Sequence, residues 1–433
     1  MNLDLVLASI RPDREEQATI DRVVRELTSR ISDILKRDGI KAEPRLVGSV
    51  SKGTHLKDAD IDIFIVFSRE YREWEMESMG LRVGHEVLPE GQEKYAEHPY
   101  VSGRYLGRKV DIVPCYQIPP GTSIISSVDR TPLHTEYVKD HITDVQRDEV
   151  RLLKAFMKTA GVYGSEVKVS GFSGYVCELL VLNFGTFMET IRYFSTLTGP
   201  LTIPEDRELL SQFDAPAVII DPTDPGRNAG AAISLESLSK MKMLSKIFLS
   251  SPSEKFFSMV QPEGEIFGGS RDSTFALFTL PRPDEIDDVI YPQAVRLRNI
   301  LMGLLSREGF LPIDSEVLVN ERVQILVECE RGTLPRIKVH EGPPVDSKNA
   351  MDFYAKWKGR RRLRGPYIRG NRLYVDVERS EVGLEEVVRN GLRQYNIGAH
   401  LNRLRDSLEI IITAEPDSGM EIFRKYLSRQ IWP

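Results

Sequence analysis

The segment Asp60-Ile61-Asp62-Ile63-Phe64-Ile65-Val66-Phe67 constrains this chain more than any other. It is too apolar and too rich in β-branched residues for a surface helix, and Ile61 to Phe67 reads as a strand buried on at least one face. Side chains alternate along a strand, so Asp60 and Asp62 share one face while Ile61, Ile63 and Ile65 share the other. Two carboxylates side by side repel each other unless something positive lies between them. Oxygen-only ligands of this kind suit Mg²⁺, which keeps several waters and takes one or two carboxylates together with substrate phosphates.

A third carboxylate, Asp111, sits mid-strand in Lys109-Val110-Asp111-Ile112-Val113, an apolar context where an uncompensated charge is expensive. If the two strands are neighbours, three carboxylates converge and can hold two metal ions roughly 3.5–4 Å apart, the arrangement that clamps attacking and leaving oxygens in phosphoryl transfer. Asp111 is then the natural general base for an attacking hydroxyl. The competing reading has Asp60 and Asp62 facing water at a strand edge and Asp111 paired with an arginine. The turn Gly48-Ser49 upstream favours catalysis, because a serine hydroxyl and nearby backbone N–H groups can face a triphosphate. Lys52 adds a positive charge beside that turn.

Elsewhere the periodicity predicts a helix from Pro12 to Arg37, with acidic residues in its first turn and basic ones in its last. Val101–Leu106 and Lys109–Val113 read as a hairpin turning at Gly107-Arg108. Helices are expected over Asp144–Ala160, Gly174–Glu189 and Leu235–Leu249, with a strand and ordered loop over Asp214–Gly230 and a connection over Ser250–Gly269. A helix from Pro292 to Arg307 precedes a strand-rich region. That region holds Val323–Cys329, a pair Tyr367–Arg369 and Arg372–Val377 turning at Gly370-Asn371, and Leu408–Thr413 between helices Leu384–Gln394 and Ser418–Ser428. The mixture is that of an α+β multidomain chain, and 433 residues suffice for about three domains.

A net charge of 58 − 64 = −6 excludes a uniformly basic nucleic-acid binder but not a local patch. Lys356, Lys358, Arg360, Arg361, Arg362, Arg364, Arg369 and Arg372 follow one another with no acidic residue between them. Phe353, Tyr354, Trp357, Tyr367 and Tyr374 are interleaved, a pattern that suits RNA phosphates and bases. Three scattered cysteines give no disulfide framework or zinc knuckle, and the seven histidines show no zinc-ligand spacing. The sequence shows no membrane-length apolar run and no signal-peptide pattern, so a cytoplasmic protein without a membrane partner is expected.

Gly48-Ser49 and Asp60-Ile61-Asp62 with a later strand aspartate resemble the nucleotidyltransferase superfamily that contains DNA polymerase β and the poly(A) polymerases. The stretches Gly48–Leu56, Glu97-His98-Pro99-Tyr100-Val101, Val110–Tyr116, Asp129–His134, Gly171–Tyr175 and Asp221–Pro225 with Arg227-Asn228 are similar to the archaeal, class I CCA-adding enzymes, tRNA nucleotidyltransferases that build the 3′ CCA end without a template. The likeness runs in order through the first ~230 residues; beyond them it is one of size and element type.

The resemblance implies a nucleotidyltransferase α/β palm over residues 1–143, a mainly helical nucleotide- and primer-binding domain over 144–257 and an α+β tRNA-binding region over 258–433. It implies Asp60, Asp62 and Asp111 as catalytic Mg²⁺ ligands. Ser49, Lys52, His134, Lys154 and Tyr163 would grip the nucleotide, His134 from a loop where a neutral imidazole donates to phosphate. Lys52 stands where the family more often has arginine, keeping the charge without bidentate geometry. Arg227 is the candidate reader of the base of CTP or ATP, since its planar donors can satisfy acceptors on either base. Lys356, Lys358, Arg360, Arg361, Arg362 and Arg364 would hold tRNA. The expected partners are tRNA lacking all or part of its CCA end, CTP and ATP, with a homodimer as one assembly state. The alternatives are an ATP-only polymerase of the poly(A) or oligoadenylate type, and an inactive RNA-binding protein.

Overall fold

The computed structural model describes residues 1–95, 98–118, 126, 128–205, 208, 212–258, 271–429 and 431. Glu97 and the 259–269 part of the expected connection lie outside the described residues. The chain divides into one unit within residues 1–262 and a second within 263–431.

In the first unit a short helix α1 (Leu3–Ile10), which the periodicity did not predict, precedes α2 (Arg14–Arg37). Asp13 caps α2 by accepting from the Glu16 N–H at 2.8 Å, which starts the helix just after Pro12. Then come β1 (Ala42–Val47), a single turn α3 (Gly48–Lys52), β2 (Ile61–Phe67), α4 (Glu73–Val87), β3 (Gln92–Tyr95), β4 (Pro99–Tyr105) and β5 (Arg108–Tyr116). The five strands form one sheet in the order β1-β2-β5-β4-β3, with β2 and β5 parallel and the other pairs antiparallel. Ile20, Val23, Leu27 and Ile31 of α2 bury against Ile61, Ile63 and Ile65, so one face of β2 is core as the alternation demands.

The β4–β5 turn is Leu106-Gly107, one residue earlier than expected. Both residues have positive φ (48° and 79°), and Arg108 is already paired with Tyr105. Mirror-image turns fit the strand twist, and here one of the two φ > 0 sites is a leucine, which no turn rule would select.

The unit continues with α5 (Arg130–His141), α6 (Asp144–Thr159), α7 (Gly174–Phe184), α8 (Phe187–Thr196), β6 (Leu201–Ile203), β7 (Ala217–Asp221), β8 (Asp224–Asn228) and α9 (Leu235–Ser250). The single helix expected over Gly174–Glu189 is two. Gly185 takes φ 88° and Thr186 caps α8 by accepting from the Glu189 N–H. Phe156, Phe187 and Phe248 pack edge to face at the centre of this helical layer.

The second unit holds β9 (Thr274–Pro281), α10 (Asp287–Glu308), β10 (Pro312–Val319), β11 (Arg322–Cys329), β12 (Ile337–Pro344), α11 (Ala350–Lys358), β13 (Arg364–Arg369), β14 (Arg372–Glu378), α12 (Leu384–Leu392), β15 (Glu409–Thr413) and α13 (Glu421–Leu427). One antiparallel sheet runs β10-β11-β9-β15 and a second β12-β14-β13. Helix α10 begins before Pro292, which sits inside it near the N-terminus and gives up one intrahelical bond. Among the described residues no helix is long and apolar enough to cross a membrane.

Candidate active site and nucleic-acid surface

Parallel pairing of β2 and β5 sets Asp62 directly beside Asp111, and Asp60 lies one residue before β2. All three expected carboxylates therefore meet at the end of two adjacent strands. Lys109, two residues from Asp111 and so on its face, bonds Asp60 Oδ2 and stands 3.7 Å from Asp111 Oδ2. Burial, followed by the charges of Asp111 and Asp60, pushes Asp62 up to about 7. Asp111 Oδ1 is buried without a hydrogen-bond partner. An orphaned oxygen in an all-oxygen trio that resists full ionisation is the donor set a hard divalent cation satisfies. Gly48 makes room for it: its φ is 69°, and a Cβ there would stand 2.4 Å from Asp62 Oδ2.

A cleft of about 330 Å³ is lined by Ser49, Asp60, Asp62, Lys154 and Tyr163, five of the expected site residues, together with Lys158. Lys154 and Lys52 are buried, and both reach Glu178, whose carboxylate is fully enclosed in α7. The Lys52 Nζ–Oε2 distance is 2.5 Å and the Lys154 Nζ–Oε1 distance 3.1 Å, with Thr54 donating to Oε1 at 2.6 Å. Burial would raise Glu178, but the two ammonium groups overrule it and hold it at about 2. Burial pulls Lys154 down, an effect Glu178 offsets in part.

His134 and Arg227 are brought together by Asp221, which the sequence reading quoted within the stretch Asp221–Pro225 but gave no role. Asp221 Oδ2 accepts from His134 Nε2 at 2.8 Å and from Arg227 Nη1 at 2.9 Å. His134 lies within α5, not in a loop, and its Nε2 faces Asp221, so that nitrogen is not free to donate to a phosphate. Tyr175 joins the two groups of residues: its ring stacks on His134 at 3.8 Å and lies 5.8 Å from Lys52 Nζ.

Lys109, Glu178 and Asp221 were the residues missed. Strand alternation alone placed Lys109 on the Asp111 face, and an acid inside the apolar run Tyr175–Leu182 was a sign of a buried partner. Nothing in Asp221-Pro222-Thr223 announced a hub.

Another metal-capable group among the described residues is Glu73, Glu77 and His98, whose ligand atoms lie within 4.8 Å of one another. His98 Nδ1 is 3.1 Å from Glu77 Oε1, an ordinary hydrogen-bond geometry. A cleft of the second unit, about 600 Å³, mixes Arg307, Lys338 and Arg379 with Glu308, Glu378 and Glu381 and so carries no single-sign field.

The basic stretch covers the end of α11 and β13. Lys356 and Arg360 lie over the Trp357 ring and Lys358 over Tyr354, while Arg361 is 95% exposed. Two of the expected RNA contacts are tied down internally, and a third, Arg361, stands 3.7 Å from Glu378. Arg362 bonds the carbonyls of Trp357, Lys358, Arg360 and Gly365, closing the helix end. Arg364 pairs with Asp376 at 2.9 Å and stacks on Tyr367.

Three family models match in succession: a nucleotidyltransferase domain over residues 28–134, the second domain of tRNA nucleotidyltransferases over 148–258, and the C-terminal domain of CCA-adding enzymes over 271–413. The CCA-adding enzyme of Thermoplasma acidophilum is 47% identical over 406 residues, 94% of this chain and 93% of that one. That of Picrophilus torridus is 46% identical over 429 residues, 99% and 98% of the two chains. That of Methanocaldococcus jannaschii is 34% identical over 419 residues, 92% of each.

Proposed function

The chain belongs to the CCA-adding enzyme family of tRNA nucleotidyltransferases, and from that premise we propose that Asp60, Asp62 and Asp111 hold Mg²⁺ and carry the transfer of CMP and AMP to tRNA. The enzyme adds C, C and A to the 3′ end of tRNA without a template, taking the nucleotides from CTP and ATP and releasing pyrophosphate. The observation that carries the site assignment is the Asp62–Asp111 register with the orphaned Asp111 Oδ1 beside it.

Bound divalent cations supply charge neutralisation on the triphosphate and a lowered pKa for the attacking hydroxyl. Asp111 takes the proton of the tRNA 3′-hydroxyl at a carboxylate oxygen, and Asp60 and Asp62 would hold the cation charge against which the α-phosphate is oriented for in-line attack. Ser49, Lys52, Lys154 and Tyr163 face the triphosphate; two lysines against one glutamate leave one net positive charge for it. Arg227 and His134 face the nucleoside. Residues 1–143, 144–257 and 258–433 act as catalytic, nucleotide-binding and tRNA-binding parts. In the last, Lys356, Lys358, Arg360 and Arg361 take tRNA phosphates. The expected setting is the cytoplasm.

The test is incubation of the protein with tRNA lacking its CCA end, Mg²⁺ and labelled CTP or ATP, beside Asp60→Ala/Asp62→Ala. Two C additions and one A, absent in the double variant, are expected. Full activity in the double variant would remove the carboxylates from the site, and repeated A addition without use of CTP would overturn the substrate assignment.

A further inference from the structure

We propose that Glu16, in the first turn of α2, is a positioning residue for Asp60: together with Arg108 it fixes the backbone at Asp58 and so places the one carboxylate of the trio that strand pairing does not place. The proposal rests on the reading of Asp60 as a Mg²⁺ ligand and goes beyond it in naming what holds that ligand.

The three carboxylates are not held alike. Asp62 and Asp111 face each other across the β2–β5 ladder, and Asp62 is also paired with Val47 of β1. Asp60 precedes Ile61, where that pairing begins, and its side chain is half exposed. Its bond with Lys109 joins two side chains and does not set where the chain itself runs. The placement of Asp60 therefore falls to the loop that follows α3, residues 53–60.

That loop is tied at intervals. Arg151 of α6 donates to the Gly53 carbonyl at 2.6 Å and to the His55 carbonyl at 2.9 Å, and the Lys57 N–H donates to the Ile10 carbonyl at 3.0 Å. Next along the chain, the Asp58 N–H donates to Glu16 Oε1 at 2.8 Å, and the same oxygen accepts from Arg108 Nη1 at 2.7 Å. Asp58 has φ 58°, a left-handed conformation that aspartate tolerates but that persists only where the surroundings enforce it. Its own side chain is 94% exposed and reaches Arg108 only at 3.4 Å, so the N–H bond to Glu16 is what enforces it.

As a first-turn acid Glu16 would serve the α2 dipole equally well in water. Instead it is 8% exposed, and a buried carboxylate is kept only where it has partners. Arg108 opens β5, next to Lys109 and three residues before Asp111. Alternation turns it away from those two side chains and toward the face where Val110 and Ile112 pack with α2, so the clamp grips the sheet from behind the site. One carboxylate oxygen thereby joins the strand that carries Asp111 to the loop that carries Asp60, and fixes the spacing between them. A catalytic constellation works only within about 0.5 Å of its productive geometry. Partners outside the ligand set accordingly change metal affinity by about 10–100-fold.

The experiment titrates Mn²⁺, followed by its EPR signal, into the full chain with a non-hydrolysable CTP analogue and no tRNA, and reads the binding that Asp60→Ala abolishes. Glu16→Ala is expected to weaken that binding about tenfold and to lower kcat for CMP addition with the KM for tRNA unchanged. Glu16→Gln, whose side-chain carbonyl can accept both donors, is expected to retain most of the affinity. If Glu16 only anchors α2, Glu16→Ala lowers Tm and leaves Mn²⁺ affinity unchanged, which overturns the proposal; so does a glutamine variant as weak as the alanine one. Should Glu16→Ala lack a cooperative thermal transition, Glu16→Asp is read in its place. It keeps the charge beside Arg108 but is one methylene too short to reach both donors, so its Mn²⁺ affinity must fall, and an unchanged affinity overturns the proposal equally. Wild-type Mn²⁺ binding that is indifferent to Asp60→Ala would sink the reading of Asp60 as a ligand and this inference with it. Binding that Asp60→Ala removes and no Glu16 variant moves sinks only this inference.

Discussion

At the scale of single residues, the decisive side chain is Asp62, whose carboxyl is pushed up to about 7 by burial and then by Asp111 and Asp60. An unfolded aspartate titrates near 3.9, so the folded state binds this proton more tightly than the unfolded one. The resulting stability is fully present below about pH 4 and is lost as pH rises through about 7. A cation that replaces the proton removes that loss. The Mg²⁺-induced rise in Tm is accordingly expected to be small at pH 5 and largest at pH 8, measured by scanning calorimetry in EDTA and in Mg²⁺. Asp62→Asn should flatten the difference; an equal rise at both pH values in the wild type would contradict the assignment. Asp62 and its register partner were legible because a strand pattern is local. Lys109 was equally local, but a lysine between carboxylates gains its meaning only once β2 and β5 are known to be neighbours.

At the scale of elements, α7 carries an acid where its helical neighbours are apolar. Glu178 meets Lys154 from α6 and Lys52 from the end of α3, and all three side chains are at most 7% exposed. Pairing by two ammonium groups repays the desolvation of one carboxylate, whereas removing the carboxylate leaves two buried cations uncompensated. Glu178→Gln keeps the size and the acceptor for Thr54 but loses the charge. It should cost about 3–5 kcal/mol in urea unfolding. A loss under about 1 kcal/mol would mean that the lysines find other counter-charges. Because Glu178 is held at about 2, its contribution is present above the ordinary glutamate range and is lost only as pH falls toward 2. The sequence made α2, β2 and α6 readable through periodicity and caps. It hid the α7–α8 break, where Gly185 inside an apolar stretch looks like any helix glycine until Thr186 is seen to cap the next element. The ion triad was hidden for a different reason: Glu178 and Lys52 lie 126 residues apart in the chain, and no local pattern couples them.

For the whole molecule the tension is between a net charge of −6 and a polyanionic substrate. Productive binding then depends on where the cations are free rather than on how many there are, since counterion release counts only charges that reach phosphate. The eight-residue basic series was plain in the sequence, yet its members are not equivalent. Arg362 serves the backbone around α11 and Arg364 serves Asp376, whereas Lys358 and Arg360 lie over the Tyr354 and Trp357 rings and Arg361, 95% exposed, meets Glu378 only at 3.7 Å. Replacing these three by alanine should raise the tRNA KM and reduce the magnitude of the slope of log K against log salt by about two to three. Arg362→Ala should instead lower thermal stability of the second unit while leaving that slope nearly unchanged, because its guanidinium is already hydrogen-bonded to four carbonyls. Filter binding of tRNA across a salt series, with calorimetry on the same proteins, separates the two effects. A slope that moves with Arg362 and not with the triple replacement would show that the internal pairing opens on RNA binding and that phosphate contact runs through the helix end itself.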